Sequence, residues 1–472
     1  MFYKSYRNIL LLITIFLLNN NSINSLTQTA ELQCGIFNDE ILDQFIEEEI
    51  QQGFPGAALS ITQYGKVLKQ KVYGYSLKYN ENGSIIDQPQ LLTLYTMFDL
   101  ASLTKMYATN YALMQLVSQG KVNVNDPVIK YIPQYHGCNP ENECREARLV
   151  KDLLTHTAGY VSSVYFYDPK KVSADLYSQN KIRTEEIIET KLGFQRPRGD
   201  DQLPVYSDID YMLLGLIVEH VSGLSIDQYV KLNIYQPLGL THTSFNPLDT
   251  VNYEKSNFAA TELNGNTRNS TIDFPHIRTY VLQGQVHDEK SFYSMNGLSG
   301  HAGLFSNLHD MTILTQLMLN NGIYKNIQFW NQTVQDLFLT PYSPDPTYGL
   351  GWRLNYNKSL SWFGLHASNK AFGHTGWTGT CTVIDPKCSL TITLLTNKRH
   401  TPCINGVFDG EKYETGKYGK IMTLVYEAMQ LNEQQCCQTT PVNTGCRSFM
   451  LNHFHFLLIS ICFVLYRFFT IL

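Results

Sequence analysis

From Gly56 to Ser76 the chain reads GAALSITQYGKVLKQKVYGYS, with short apolar stretches on either side of Gly65. That pattern predicts a hairpin. The period then changes. Leu103, Met106, Tyr107, Asn110, Leu113, Met114 and Val117 recur at helical spacing, so Leu100 to Val117 predicts a helix with Gly120 as its stop. LVKDLLTHTAGY, Leu149 to Tyr160, predicts a short helix ending at Gly159. Asp208 to Val221 is strongly apolar and helical, with Gly223 just beyond it, and Ile226 to Tyr235 and Met311 to Leu319 predict two more helices. In the last third Trp377 to Ile384 and Leu390 to Leu395 predict strands, joined by a turn at Asp385-Pro386-Lys387. Lys417 to Leu431 predicts a final helix with Ile421, Leu424, Val425 and Met429 as its buried stripe. Strands at both ends with helices between them imply an α+β fold: an antiparallel sheet flanked by helices, plus a mainly helical lobe. A cleft between the two is where a ligand is expected.

Composition narrows this. Of 472 residues, 43% are hydrophobic and 16% charged, which is globular and excludes a disordered chain. The net charge of -5 and the lack of a long basic run exclude nucleic acid as a partner. At the N-terminus Lys4 and Arg7 precede an apolar run, Ile9 to Leu18, which predicts a secretory signal peptide over residues 1–26. A catalytic body over 31–432 follows, then a cysteine-bearing linker, 433–448, and a hydrophobic tail, 449–472. The tail is apolar from Phe456 to Leu472 apart from Arg467, and small residues (Asn443, Thr444, Gly445, Ser448) precede it. It fits a lipid-anchor attachment signal or a single membrane span. In both cases the body is expected in the secretory pathway, facing outside the cell or a lumen, with the tail as its membrane association.

Ten cysteines agree with that compartment. Cys138 and Cys144 enclose CNPENEC and predict a local pair, and Cys381, Cys388, Cys403, Cys436, Cys437 and Cys446 crowd the last third. With Cys462 in the tail, an odd number remains, so one thiol is expected free or intermolecular. Four N-x-S/T sites, Asn82, Asn269, Asn331 and Asn357, predict exposed glycosylated loops.

The chemistry centres on FDLASLTKMYAT, Phe98 to Thr109. Ser102 and Lys105, three residues apart at a helix start, share a face. Apolar neighbours would lower the proton affinity of Lys105 and let it draw a proton from Ser102. The plain alternative is a capping serine and a snorkelling lysine. Two further segments favour the chemical reading. In VYSDIDYMLLG, Tyr206 sits just ahead of an apolar helix that Ser207 or Asp208 caps, placed to relay protons. In FGHTGWTGT, glycines bracket His374 and Thr375 before a strand, where backbone approaches a ligand closely. The amides of Ser102 and Trp377 would form an oxyanion hole. There is no H-E-x-x-H, no G-x-G-x-x-G before a helix, no P-loop and no G-x-S-x-G elbow. Metal, nucleotide and other cofactors are therefore not expected. His287, Asp288 and His301 are weaker candidates near the cleft.

In order, ASLTK, YSD and HTG resemble the serine β-lactamase and penicillin-binding-protein superfamily, which pairs S-x-x-K with a tyrosine or serine motif and a lysine-threonine-glycine motif. The class C branch of esterases and D-aminopeptidases is the nearest match. LVKDLLTHTAGY is similar to that branch's signature helix, and GLSGHAGLFSN, Gly297 to Asn307, to a glycine-rich segment of one bacterial subgroup. The resemblance implies Ser102 as acylated nucleophile, Lys105 as its base partner, and Tyr206 as the group that activates serine, protonates the leaving group and helps water attack. Asp208, His374, Thr375 and Gly376 would bind substrate. Asp208 falls where class C enzymes have asparagine, and His374 where they have lysine. Without that fixed positive charge, an esterase or peptidase with a small-molecule or peptide-like acyl substrate is expected rather than an efficient β-lactamase, with a true β-lactamase or D,D-peptidase as an alternative. The competing class is a non-catalytic cell-surface protein that kept the fold, and the intact Ser102, Lys105 and Tyr206 set weighs against it.

Overall fold

The computed structural model describes residues 37–139, 143–250 and 252–431. The expected signal peptide (1–26), linker (433–448) and tail (449–472) lie outside the described residues. Helix α1 (Glu40–Gln51) leads into the expected hairpin, β1 (Gly56–Gln63) and β2 (Lys66–Tyr79), and β3 (Ile85–Leu91) follows. The other half of the sheet comes from the far end of the chain: β4 (Arg353–Leu354), β5 (Phe372–Gly376), β6 (Thr380–Asp385) and β7 (Leu390–Thr396). The seven strands run in the order β4-β5-β6-β7-β1-β2-β3. The two halves join at β1 and β7, antiparallel, with Ala57 opposite Thr396 and Gln63 opposite Leu390.

This central position leaves β1 and β7 covered on both faces, so the Ser60, Thr62, Thr391 and Thr393 that interrupt their apolar residues are buried as well. On one face Leu42 and Ile46 of α1 and Ile421 and Val425 of a final helix, α6 (Gly419–Ala428), pack with Leu59, Ile61, Ile392 and Leu394. On the other, Ala58, Ile384 and Leu395 join the larger core of the helical lobe. Each fully buried large aliphatic side chain there contributes about 1.5–3 kcal/mol. The α+β architecture is as the sequence predicts.

The lobe includes α2 (Tyr111–Ser118), α3 (Val150–Leu154), α4 (Asp208–Ser222) and α5 (Leu308–Leu319), with further helices at Lys181–Thr190 and Gln332–Phe338 and shorter segments. Three expectations need correction. Ser102 is not inside the helix. It sits in a turn before it, Ala101 has φ +46°, and a wide π-helical stretch, Lys105–Asn110, precedes α2. Helix α3 stops at Leu154, short of Gly159, because His156 takes a left-handed φ of +59° and its ring Nδ1 accepts the Ser207 amide at 3.1 Å. The strand expected over Trp377 to Ile384 starts only at Thr380, as β6, because Trp377–Gly379 form a turn with Gly379 at φ +112°, and Phe372–Gly376 before it form a strand, β5, that was not expected. Helix α4 ends as expected, at Gly223 with φ +72°.

Cys138 and Cys144 form the expected disulfide. Cys388 is also disulfide-bonded, and Cys381 and Cys403 are free and buried. Asn82, Asn269, Asn331 and Asn357 are all exposed. Among the described residues no single helix is long and apolar enough to cross a membrane. One bent pair, 208–222 and 226–238, has the composition, and the residues of α4 in it are mostly buried core.

Candidate active site

Three segments that lie far apart in sequence meet at the mouth of the sheet. The turn carrying Ser102 is held against β5 and the turn after it. Thr378 Oγ1 donates to the Asp99 carbonyl at 2.6 Å and Thr380 Oγ1 to the Leu100 carbonyl at 3.0 Å. Gly376 is required at this contact, since a Cβ there would lie 2.4 Å from the Leu100 oxygen. The entry to α4 brings Tyr206 and Asp208 to the same point, and the segment 297–307 closes it from behind. There the Gly300 backbone lies against α4: a Cβ on Gly300 would lie 2.3 Å from the Tyr211 carbonyl.

The contact at the centre is between Lys105 and Ser102: Nζ donates to Oγ at 3.1 Å. Lys105 is fully buried, and its other two donors go to Asp208 Oδ1 at 2.9 Å and the His301 carbonyl at 3.0 Å. Its ammonium also lies 5.0 Å from the centre of the Tyr206 ring. Burial works against the charge, as the apolar neighbours in sequence suggest. Asp208 and the phenol of Tyr206 outweigh it, and the lysine is held above its ordinary range. The expected drop in proton affinity is thus reversed, and the reason is Asp208.

Asp208 is itself doubly paired. Lys290 Nζ lies 3.2 Å from its Oδ2 and 3.2 Å from Asp288 Oδ2, and His301 Nε2 contacts Asp288 Oδ1 at 2.9 Å. Burial opposes the charge on Asp208, but Lys105, Lys290 and His301 hold its carboxyl below the usual carboxylate range. The same reasoning holds Asp288 well below and Lys290 well above their ordinary ranges. Asp208, Asp288 and His301 point ligand atoms at one another as a metal site would, and the Lys290 ammonium pairs with the two carboxylates there. Asp208 ties two lysines together. Lys290 was not singled out in the sequence, because nothing local marks a lysine that pairs across 82 residues.

His374 lies on β5 and is buried. Its Nδ1 is 2.8 Å from the Thr375 carbonyl. A carbonyl only accepts, so Nδ1 carries the proton and Nε2 presents a lone pair. Burial, then the nearby Lys105, pushes its pKa down to about 3, so the ring is neutral in use. His374 therefore differs in both charge and hydrogen-bond polarity from the lysine it replaces. Thr375 is half-buried and Gly376 fully buried beside it. Among the described residues no backbone hydrogen bond engages the amide nitrogens of Ser102 and Trp377, the expected oxyanion pair. The Trp377 side chain is exposed, with the Arg399 guanidinium stacked 3.7 Å from its ring centre.

Tyr206 is positioned from beneath by His156, whose ring centre is 4.6 Å from that of Tyr206. Nδ1 of His156 accepts the Ser207 amide and lies 2.8 Å from Asp210 Oδ2. With that nitrogen accepting, the shared proton belongs to Asp210. Burial favours the same state, pushing Asp210 well above and His156 well below their usual ranges. Of the weaker sequence candidates, Asp288 and His301 join the site's charge network. The His287 ring turns away, to Glu262 Oε2 at 2.8 Å.

The beta-lactamase family profile matches residues 39–404. The chain belongs to the beta-lactamase family. Membership carries the class of reaction, hydrolysis of ester or amide substrates through a covalent serine acyl-enzyme, and places the chain among enzymes. The chain is 50% identical over 397 residues to an N-acetylmuramyl-L-alanine amidase of Bacillus subtilis (strain 168), spanning 82% of this chain and 88% of that one. It is 44% identical over 417 residues to a provisionally named D-alanyl-D-alanine carboxypeptidase of Escherichia coli (strain K12), spanning 86% and 94%. Among solved structures, EstCE1, a hydrolase with promiscuous acyltransferase activity, superposes with a TM-score of 0.59 at 19% identity, covering 81% of this chain and 99% of that one. The penicillin-binding protein homologue of Pyrococcus abyssi gives 0.58 at 21%, covering 84% and 78%. These two share the fold.

Proposed function

We propose that this beta-lactamase-family enzyme is an amidase for muramyl peptides, cleaving the amide between the muramyl acyl group and L-alanine, with Ser102 as nucleophile. The observation that carries the substrate is the 50% identity, over most of both chains, to the Bacillus subtilis amidase. Ser102 Oγ attacks the amide carbon and passes its proton to Tyr206, which acts as a phenolate with the Lys105 ammonium as its counter-charge and becomes the phenol. The amides of Ser102 and Trp377 receive the oxyanion. Tyr206 returns the proton to the departing amine as the C–N bond breaks. Water then attacks the acyl ester, giving a proton to Tyr206, which returns it to Ser102. Lys105 acts here as a held cation, and Asp208 keeps it so. Neutral His374 presents Nε2 to a substrate N–H, while Thr375 and Gly376 offer the edge of β5.

The second reading, a D-alanyl-D-alanine carboxypeptidase, is favoured by the Escherichia coli relative. It requires a cation for a terminal carboxylate, and His374 supplies none. Arg353, opposite Gly373 on the neighbouring strand, spends Nε and Nη2 on Thr347, at 3.3 and 2.8 Å. The full chain in detergent, given muramyl dipeptide, is expected to release N-acetylmuramic acid and the free dipeptide, with S102A inert. Release of D-alanine from a peptide ending in D-Ala-D-Ala, with muramyl dipeptide left intact, would replace this reading by the second.

The location we propose is the outer cell surface or a lumen, reached by the 1–26 signal and held by the 449–472 tail, with glycans on the four exposed asparagines. At Asn269 the acceptor nitrogen donates to the Cys403 carbonyl at 3.0 Å, so this site would give up that bond.

A further inference from the structure

We propose that Asp99 is a positioning residue for the reaction: its carboxylate sets Ser102 against the Lys105–Asp208 pair by holding two separate backbone segments at once. The proposal rests on Ser102 being the nucleophile. Asp99 is buried at 1% exposure. Its Oδ1 accepts the Ala101 amide at 2.8 Å, and its Oδ2 accepts the His287 amide at 2.6 Å. The first bond pins the residue directly before Ser102 in a left-handed conformation, φ +46°, which is costly for a residue with a Cβ. The second fixes the start of the segment that carries Asp288 and Lys290. From there the contacts run through Lys290 to Asp208, on to Lys105, and back to Ser102. The carboxylate of Asp99 closes this circuit. Without it, the nucleophile turn and the charges that serve it are joined on one side only.

An ionised carboxylate suits this place because both partners are N–H donors and both oxygens must accept. A protonated acid offers one accepting oxygen and one O–H, which meets a donor. Burial pushes the Asp99 pKa up to about 6, against the two backbone bonds, with Asp288 adding to the rise and Arg278 opposing it. The other titrating group close by is Glu262, paired with the His287 ring and Arg268 and pushed by burial up to about 7. Activity is therefore expected to fall as pH drops through about 6, and a variant must assign that limb to Asp99 rather than Glu262. The stability sign is opposite. A raised carboxyl pKa means that ionising Asp99 costs folding stability, so its contribution improves as pH falls through the same window. Loss of activity at acid pH thus should not track loss of fold.

The test is the rate of acylation by a fluorophosphonate, with full-length chain in detergent and S102A as control. Absence of label in the wild type counts against the nucleophile assignment and not against Asp99. In D99N we expect the acylation rate to drop about a hundredfold, the final fraction of labelled sites to stay at the wild-type level, and the acid limb near 6 to disappear. On a saturable ester the loss is expected in kcat, with KM little changed. D99N/A101G should recover about tenfold, because glycine holds a positive φ without the carboxylate. A wild-type rate and limb in D99N overturn the proposal. So does a lower labelled fraction reacting at the wild-type rate per site, which marks a purely folding role. Should D99N not fold, E262Q decides: its acid limb near 6 is expected to persist, and loss of that limb in E262Q, or a wild-type acylation rate flat between about pH 7 and 5, overturns the proposal.

Discussion

Asp208 shows how one side chain changes the role of another. Buried among apolar residues, a lone lysine sheds its proton, and that is what the neighbours of Lys105 suggest from sequence. With a carboxylate at 2.9 Å the lysine stays charged. Replacing Asp208 by asparagine leaves Lys105 and Lys290 facing a neutral amide. Breaking a buried pair in this way costs about 3 kcal/mol, which urea unfolding of D208N at neutral pH would read. The pH sign follows from a depressed carboxyl pKa. The stabilisation is present above the ordinary value of 3.8 and is lost as pH falls through the lower, folded value. The gap between wild type and D208N should therefore close in strong acid. In the same variant the alkaline limb of acylation is expected to move to lower pH as Lys105 loses its anion. An unmoved limb would show that Lys105 does not govern it.

At the level of elements, the site depends on how closely β5 approaches the nucleophile turn. Gly376 allows that approach, since any Cβ would meet Leu100 and Thr380 oxygens at 2.4 and 2.2 Å. G376A is expected to separate strand and turn and to lower kcat about a hundredfold, with a modest effect on unfolding because the rest of the sheet ladder is untouched. Steady-state kinetics beside thermal unfolding would check this; a rate unchanged by the methyl group would mean that the contact does not set the geometry. The elements themselves were largely legible. The hairpin, α4 with its Gly223 stop, α5 and the closing helix follow from period and punctuation. The exceptions have local causes that only neighbours supply. Helix α3 ends early because His156 turns to hold the Ser207 amide, and β5 was not expected because FGHTG has too few apolar residues to show a strand.

For the molecule as a whole, the catalytic body is organised by long-range pairing, with the first strands beside the last. The Cys138–Cys144 bridge spans only six residues of separation and lies away from that pairing. A loop so short removes little unfolded-state entropy, so C138S/C144S is expected to cost about 2 kcal/mol and to leave the rate on muramyl dipeptide unchanged. A fall in rate matching the loss in stability would tie the loop to the site.

By itself the chain's order of residues determined the fold class, the succession of most elements, the local disulfide, and the three motifs around Ser102, Tyr206 and His374. Each of these is written in short-range terms: a period, a turn residue, a spacing of three. Tertiary structure decided the charges. Lys105 is an ammonium because Asp208 arrives from over a hundred positions away. Asp208 is an anion because Lys105, Lys290 and His301, each distant from it in sequence, surround it. His374 is neutral because burial and Lys105 act on it together. Protonation depends on distance and solvent exclusion in three dimensions, and no local pattern encodes either.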